Sequence, residues 1–157
     1  MADDFPLILK STIDKLVADC VTQLLPDFPT LQWAEVDDML QTDEVFKGEA
    51  PAILWQLSSV HEHPRAPLYG VEFTVGAKTV ADPGNYLLIK LLGAIRDVFH
   101  PTVAFDLFDY ARTVAEGVDT EPRGYLRVSS NEIVPQQFDR QSGIRYAIVR
   151  GKAVSYG

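Results

Sequence analysis

The stretch from Leu68 to Phe99 constrains the fold of this 157-residue chain most, because its hydrophobic period switches there once. Tyr69, Val71, Phe73 and Val75 alternate with Gly70, Glu72 and Thr74, the period of a strand with one buried face. After Asp82-Pro83-Gly84-Asn85, apolar residues recur at Leu88, Leu91, Leu92, Ile95, Val98 and Phe99, the spacing of one helix face. Asp82 can cap the first free amides of that helix, and Pro83 suits its first position. The pattern predicts a strand, a turn and a helix over 83–99. Leu88, Leu92 and Ile95 should pack on the sheet face bearing Tyr69, Val71 and Phe73. No glycine-rich phosphate loop, metal spacing or nucleophile motif lies on this scaffold.

The remaining elements follow from the same signals. A helix is expected from about Pro6 to Leu25, with Leu9, Ile13, Leu16, Val17, Cys20 and Leu24 as its stripe. Pro26-Asp27-Phe28-Pro29 ends it. Leu31 and Trp33 can start a short strand, and residues 34–49 read as an irregular acidic arm. Ala52 to Val60 is a strand, and the seven residues 61–67, with two prolines, form a projecting hairpin loop. Val103 to Tyr110 is a third strand candidate, and 111–123 a long loop. Tyr125 to Ile133 and Ile144 to Arg150 make a second hairpin, joined by a long connection at 135–143. Two hairpins separated by a helix predict an α+β fold, a mostly antiparallel sheet with helices packed on one face. A 46% hydrophobic chain of this length suits one domain, 1–157, with the helix and acidic arm in 1–50 and the sheet with its central helix in 51–157.

Charge narrows the partners. The net charge is −8, which argues against general nucleic-acid binding and against adsorption to anionic membranes. It is unevenly spread: residues 1–60 carry −8, residues 61–110 carry −2, and residues 111–157 carry +2. A molecule with an acidic end and a mildly basic end can associate head to tail. Cys20 is the only cysteine, so no intrachain disulfide can form, and its place on the apolar stripe predicts a buried thiol. No apolar run reaches the ~18 residues of a membrane span. Met1-Ala2-Asp3-Asp4 lacks the features of a signal peptide, so synthesis and folding in a cytoplasm are expected.

Few residues offer chemistry. His61 and His63 of His61-Glu62-His63 would point the same way on a strand, and a third metal ligand could come from His100 or an acid. The cluster sits in a proline-bounded loop, where ligands are not firmly held, so a solvated loop is the expectation and no metal or cofactor is assigned. Asp106 and Asp109, three apart on a strand, face opposite sides and would not share a site. Ser58-Ser59 and Ser129-Ser130 lie on strands without a nucleophile elbow, so no catalytic residue is assigned. The arginines stand out more. Arg123, Arg127, Arg140, Arg145 and Arg150 decorate the last hairpin and its approach, accompanied by the single lysine Lys152. Arginine suits bidentate contact with carboxylates and is enriched at protein interfaces. On its strand Arg145 lies opposite Ile144, Tyr146 and Ile148.

Over residues 50–151 the chain resembles the tail-terminator proteins of long-tailed bacteriophages. The resemblance runs through Pro51-Ala52-Ile53-Leu54-Trp55-Gln56 and Tyr69-Gly70-Val71-Glu72-Phe73-Thr74-Val75. It continues through the capped helix near Asp82 and Gly143-Ile144-Arg145-Tyr146-Ala147-Ile148-Val149. Its carriers are element order and hydrophobic pattern; segment 34–49 and loop 111–123 fit no pattern in the family. The resemblance implies a non-enzymatic virion protein, assembled in the host cytoplasm and located at the head-proximal end of the tail. It would form a hexameric ring on the tail tube protein, stop tube growth and offer a face to a head-completion or connector protein. DNA would pass through the lumen without specific binding, repelled by acidic side chains. Candidate contact residues are Arg65, Arg123, Arg127, Arg140 and Arg145 on one side and Asp37, Asp38 and Glu44 on the other. The competing reading from the residues is a small cytoplasmic ligand-binding or metal-dependent hydrolytic α+β protein. It would use His61, His63 and the acids of 103–110.

Overall fold

Alternation along four long strands and one-sided helices build a layer of helix on sheet. The computed structural model describes residues 5–35, 51–62, 69–101, 104–107, 124–138, 140–141 and 143–156. Helix α1 (Phe5–Leu24) precedes β1 (Gln32–Glu35), β2 (Ala52–Glu62) and β3 (Tyr69–Val80). A 3-10 turn (Pro83–Asn85) leads into α2 (Tyr86–Val98), then β4 (Ala104–Asp106), β5 (Tyr125–Phe138) and β6 (Ile144–Tyr156). The six strands form one sheet in the order β1-β2-β3-β6-β5-β4. Among the described residues only β1 is parallel to its neighbour; every other pairing is antiparallel. The β2–β3 and β5–β6 hairpins meet in a central ladder running from Gly70 opposite Val154 to Val80 opposite Ile144.

Both helices cover the same face. Helix α1 packs on β2 and on α2, and α2 packs on β3 and β6. Ile53, Val71, Phe73, Val75, Val128 and Val149 meet the α1 stripe and Leu88, Leu91, Leu92 and Ile95 in one core. Leu88 and Ile95 are fully buried and Leu92 nearly so, against the β3 face that the spacing predicts. Burial of Cys20 pushes its thiol up to about 11, because a thiolate there would lose its hydration. The folded protein is therefore expected to resist thiol-specific disulfide reagents near neutral pH and to react quickly in denaturant. Fast labelling without denaturant would contradict this packing.

The start of α2 differs from the expected helix at 83–99. Pro83 opens a separate 3-10 turn, and Asn85, at φ 62, kinks the chain before α2 begins at Tyr86. Asn85 offers no side-chain cap, and Asp82 takes that role from three residues further back. Asp82 Oδ1 accepts the Leu87 N–H at 2.9 Å, and Oδ2 accepts the Leu88 N–H at 2.9 Å. The Thr79 hydroxyl donates to the same Oδ2 at 3.0 Å.

The strands are longer than their alternation suggests. His61 and Glu62 belong to β2, opposite Gly70 and Tyr69, rather than to a loop; residues 63–67 lie outside the described residues. The connection expected at 135–143 is strand in its first part, since β5 continues to Phe138. Pro135 is tolerated because it falls in a register shift between Val134 and Gln137, where a missing N–H breaks no regular ladder. Strand β6 runs past Arg150 to Tyr156. The third strand candidate shrinks to Ala104–Asp106; residues 108–123, including Asp109, and the arm at 36–50 lie outside the described residues.

Candidate assembly surface

Two surfaces at opposite edges of the sheet and one groove on its outer face are the features with chemistry to offer. At the β1 edge Gln32, Trp33, Ala34 and Glu35 are all exposed, Trp33 at 52%. Glu35 is anchored by Lys10, whose ammonium lies 3.1 Å from its carboxylate and 3.2 Å from Asp14. Lys10 also lies 5.1 Å from the ring of Trp55. The acidic sequence 36–50 continues from this edge.

The opposite edge is apolar with a basic rim. Strand β4 pairs only with Tyr125, Leu126 and Arg127, so among the described residues the rest of β5 has no strand outside it. Two ties fix α2 beside it. Arg145 Nη1 donates to Asn85 Oδ1 at 2.7 Å at the helix's start, and Arg96 Nε donates to Asn131 Oδ1 at 3.2 Å near its end. The Asn131 amide also donates to the Phe99 carbonyl at 2.8 Å. Between these ties, Ile133 and Phe138 rise from β5 on the helix-bearing face, opposite Val149 and Arg145 in register. Ile89 and Gly93 share the α2 face of Arg96, turned towards them. A shallow apolar groove results. Ile89 is 63% exposed, Phe138 49% and Ile133 44%, with Tyr86 at its upper end. A side chain added at Gly93 would meet nothing within 4 Å.

The predicted site residues divide accordingly. Arg145 is half-buried, tied to Asn85, and its guanidinium lies 4.6 Å over the Phe138 ring. It is thus part of the groove wall rather than a free cation. Arg140 is exposed in the turn beside Phe138. Arg127 is exposed on β5, with its Nε 3.5 Å from the Pro101 carbonyl. Arg65, Arg123, Asp37, Asp38 and Glu44 lie outside the described residues. The groove's apolar half escapes sequence reading, because Ile133 and Phe138 look like ordinary strand and loop residues until β5 beyond Arg127 is seen to have no outer neighbour among the described residues.

The outer face of the sheet, away from the helices, carries a polar groove of about 640 Å³. Alternation places Glu72, Thr74, Arg150 and Lys152 on it, with Gln56 and Ser58 from β2 and Glu132 from β5. Lys152 lies 3.7 Å from Glu72, which also accepts the Ser59 hydroxyl at 3.1 Å. Among the described residues no histidine or cysteine lines it, and no three His, Cys, Asp or Glu side chains cluster as metal ligands. The His61 ring occupies the space beside Gly70 where a methyl group would stand; His63 lies outside the described residues.

No protein-family profile matches the chain, and no curated protein is similar to it. Among solved structures, a chain of the virion of a native gene transfer agent (GTA) particle is similar over 94% of this chain and 93% of that one. The identity is 15% and the TM-score 0.47, a distance at which likeness assigns no function.

Proposed function

We propose that this chain is a structural subunit of a phage-like virion and, within it, the tail terminator. As a ring it would cap the head-proximal end of the tail tube, stop its growth and offer a surface to the head. The observation that carries this reading is the chemical opposition of the two sheet edges. The β1 edge carries Glu35 and leads into an acidic sequence, whereas the β5 side carries exposed apolar side chains with Arg140 and Arg145 beside them. Copies meeting edge to edge repeat one heterologous contact, which closes into a ring when the rotation allows. The order β2, β3, α2, β6 supports the resemblance to terminators, since its quoted residues fall on those elements.

The candidate contact sets Arg65, Arg123, Arg127, Arg140 and Arg145 of one copy against Asp37, Asp38 and Glu44 of the next. Exposed ion pairs contribute only ~0–1 kcal/mol each, so they set register while apolar burial supplies affinity. Six copies, the tube protein and a head-completion or connector protein complete the set of partners. The genome passes through a lumen whose acidic groups keep phosphates from adhering. Light scattering and negative-stain microscopy of the purified chain across a wide concentration range test the reading. A closed ring of uniform subunit number is expected. A monomer persisting to millimolar concentration, or open filaments, would overturn it.

A further inference from the structure

Resting on that reading of the chain as a ring subunit, we infer that the groove between α2 and β5 is the seat for segment 36–50 of the neighbouring copy. The segment, Val36-Asp37-Asp38-Met39-Leu40-Gln41-Thr42-Asp43-Glu44-Val45-Phe46-Lys47-Gly48-Glu49-Ala50, contains five acids and one lysine, with Met39, Leu40, Val45 and Phe46 as apolar anchors. The groove is its chemical complement. Ile89, Ile133 and Phe138 are exposed apolar side chains, and the open space at Gly93 leaves room for an inserted side chain. Arg96, Arg140 and Arg145 stand around them. Asp82, below the start of α2, is already occupied by the amides of Leu87 and Leu88.

Topology favours a neighbour over the chain's own segment. Both ends of 36–50 are held at the β1–β2 edge, where β1 ends at Glu35 and Pro51 accepts the Gln32 N–H at 3.2 Å. Strand β5 is four strand spacings away in the sheet order, roughly 19 Å at 4.7–4.9 Å per spacing, with α1 and α2 standing on the face between. Fifteen residues span at most ~50–54 Å fully extended. A path that climbs over two helices, lies along the groove and returns exceeds that reach. In a neighbour the flanking residues Glu35 and Pro51 stand at the edge opposite the groove, so donor and acceptor would alternate around a ring.

The test uses two variants of the full chain. Ile89→Glu places a carboxylate in the groove at a side chain that is mostly solvent-exposed, and Asp37→Lys/Asp38→Lys/Glu44→Lys reverses the segment. Each alone is expected to lose the ring-sized species in light scattering and to melt at the temperature of wild type diluted until its rings dissociate. Mixed at high concentration they should form a dimer and nothing larger. The intact segment of the first variant fills the intact groove of the second, while the opposite contact sets the reversed lysines against Arg96, Arg140 and Arg145 and lacks the Ile89 side chain. Rings that survive in either variant, or a mixture that stays monomeric, would overturn the inference and leave ring formation through another surface intact. A monomeric wild type would overturn this inference and the functional reading together. A melting temperature for Ile89→Glu below that of the dissociated wild type would be checked with Ile133→Lys, for which loss of the ring at the dissociated wild type's melting temperature is again required.

Discussion

Gly151→Ala is expected to destabilise the protein by about 1–3 kcal/mol or more, the cost of overpacking a closed core. Gly151 lies opposite Phe73 in the central ladder, and the Phe73 ring occupies the space that its side chain would need. A Cβ there would collide with the ring's Cζ. The ring has no room to swing aside, since Phe73 is buried and its centroid lies 4.8 Å from that of Phe99. Phe73→Leu relieves the collision but leaves a cavity of its own. Urea unfolding of both single variants and the double variant should show strong coupling, the double variant being far less destabilised than the sum. Additive losses would mean that the two residues do not compete for one space.

Asp82→Asn should cost about 1–3 kcal/mol at neutral pH, because it weakens charge-assisted bonds to two amides that begin α2. Burial alone would raise the pKa of Asp82. The Leu87 and Leu88 amides, the Thr79 hydroxyl and the Arg145 charge outweigh it and hold the carboxyl below its ordinary value. A carboxyl depressed in the folded state contributes stability that is fully present above its unfolded pKa, near 3.9. That contribution is lost as pH falls through the lower folded value. The stability gap between wild type and Asp82→Asn should therefore be constant from neutral pH down to about 5 and narrow below about 4. A gap independent of pH would remove the ionised carboxylate from this explanation.

Much of the architecture is legible in the sequence because two hydrophobic periods do not overlap. Leu88, Leu91, Leu92 and Ile95 cannot share a face in a strand, and Tyr69, Val71, Phe73 and Val75 cannot share one in a helix. Asp82 is legible as a cap by residue type, although the kink at Asn85 that moves it three residues back depends on tertiary contact with Arg145. Strand ends are where local signals fail. Pro135 and Gly151 both read as interruptions, yet one sits in a bulge and the other is required by a facing ring. The parallel pairing of β1 is equally hidden, since four exposed residues carry no pattern of burial. On the assembly surface, residue type points to the arginines. Only the fold shows that Arg145 is tied to Asn85 and stacked on Phe138.

The central ladder has a kinetic consequence. Strands β3 and β6 are joined by eleven registered pairs, and their partners are 64 residues apart at Val80–Ile144 and 84 apart at Gly70–Val154. Each hairpin closes a short loop and gains pairing early, but neither has the other's strand to complete a sheet. Joining them closes a loop of at least 64 residues before the core of Phe73, Val75 and Val149 can form. High contact order slows that step to the millisecond-to-second range of β-rich domains. Until it happens, the two hairpins expose apolar faces and unpaired strand edges that fit other copies as well as each other. Chains made in quantity would accumulate in that interval. The commitment to one partner is made inside the chain, at β3 and β6, before any neighbour can be met correctly.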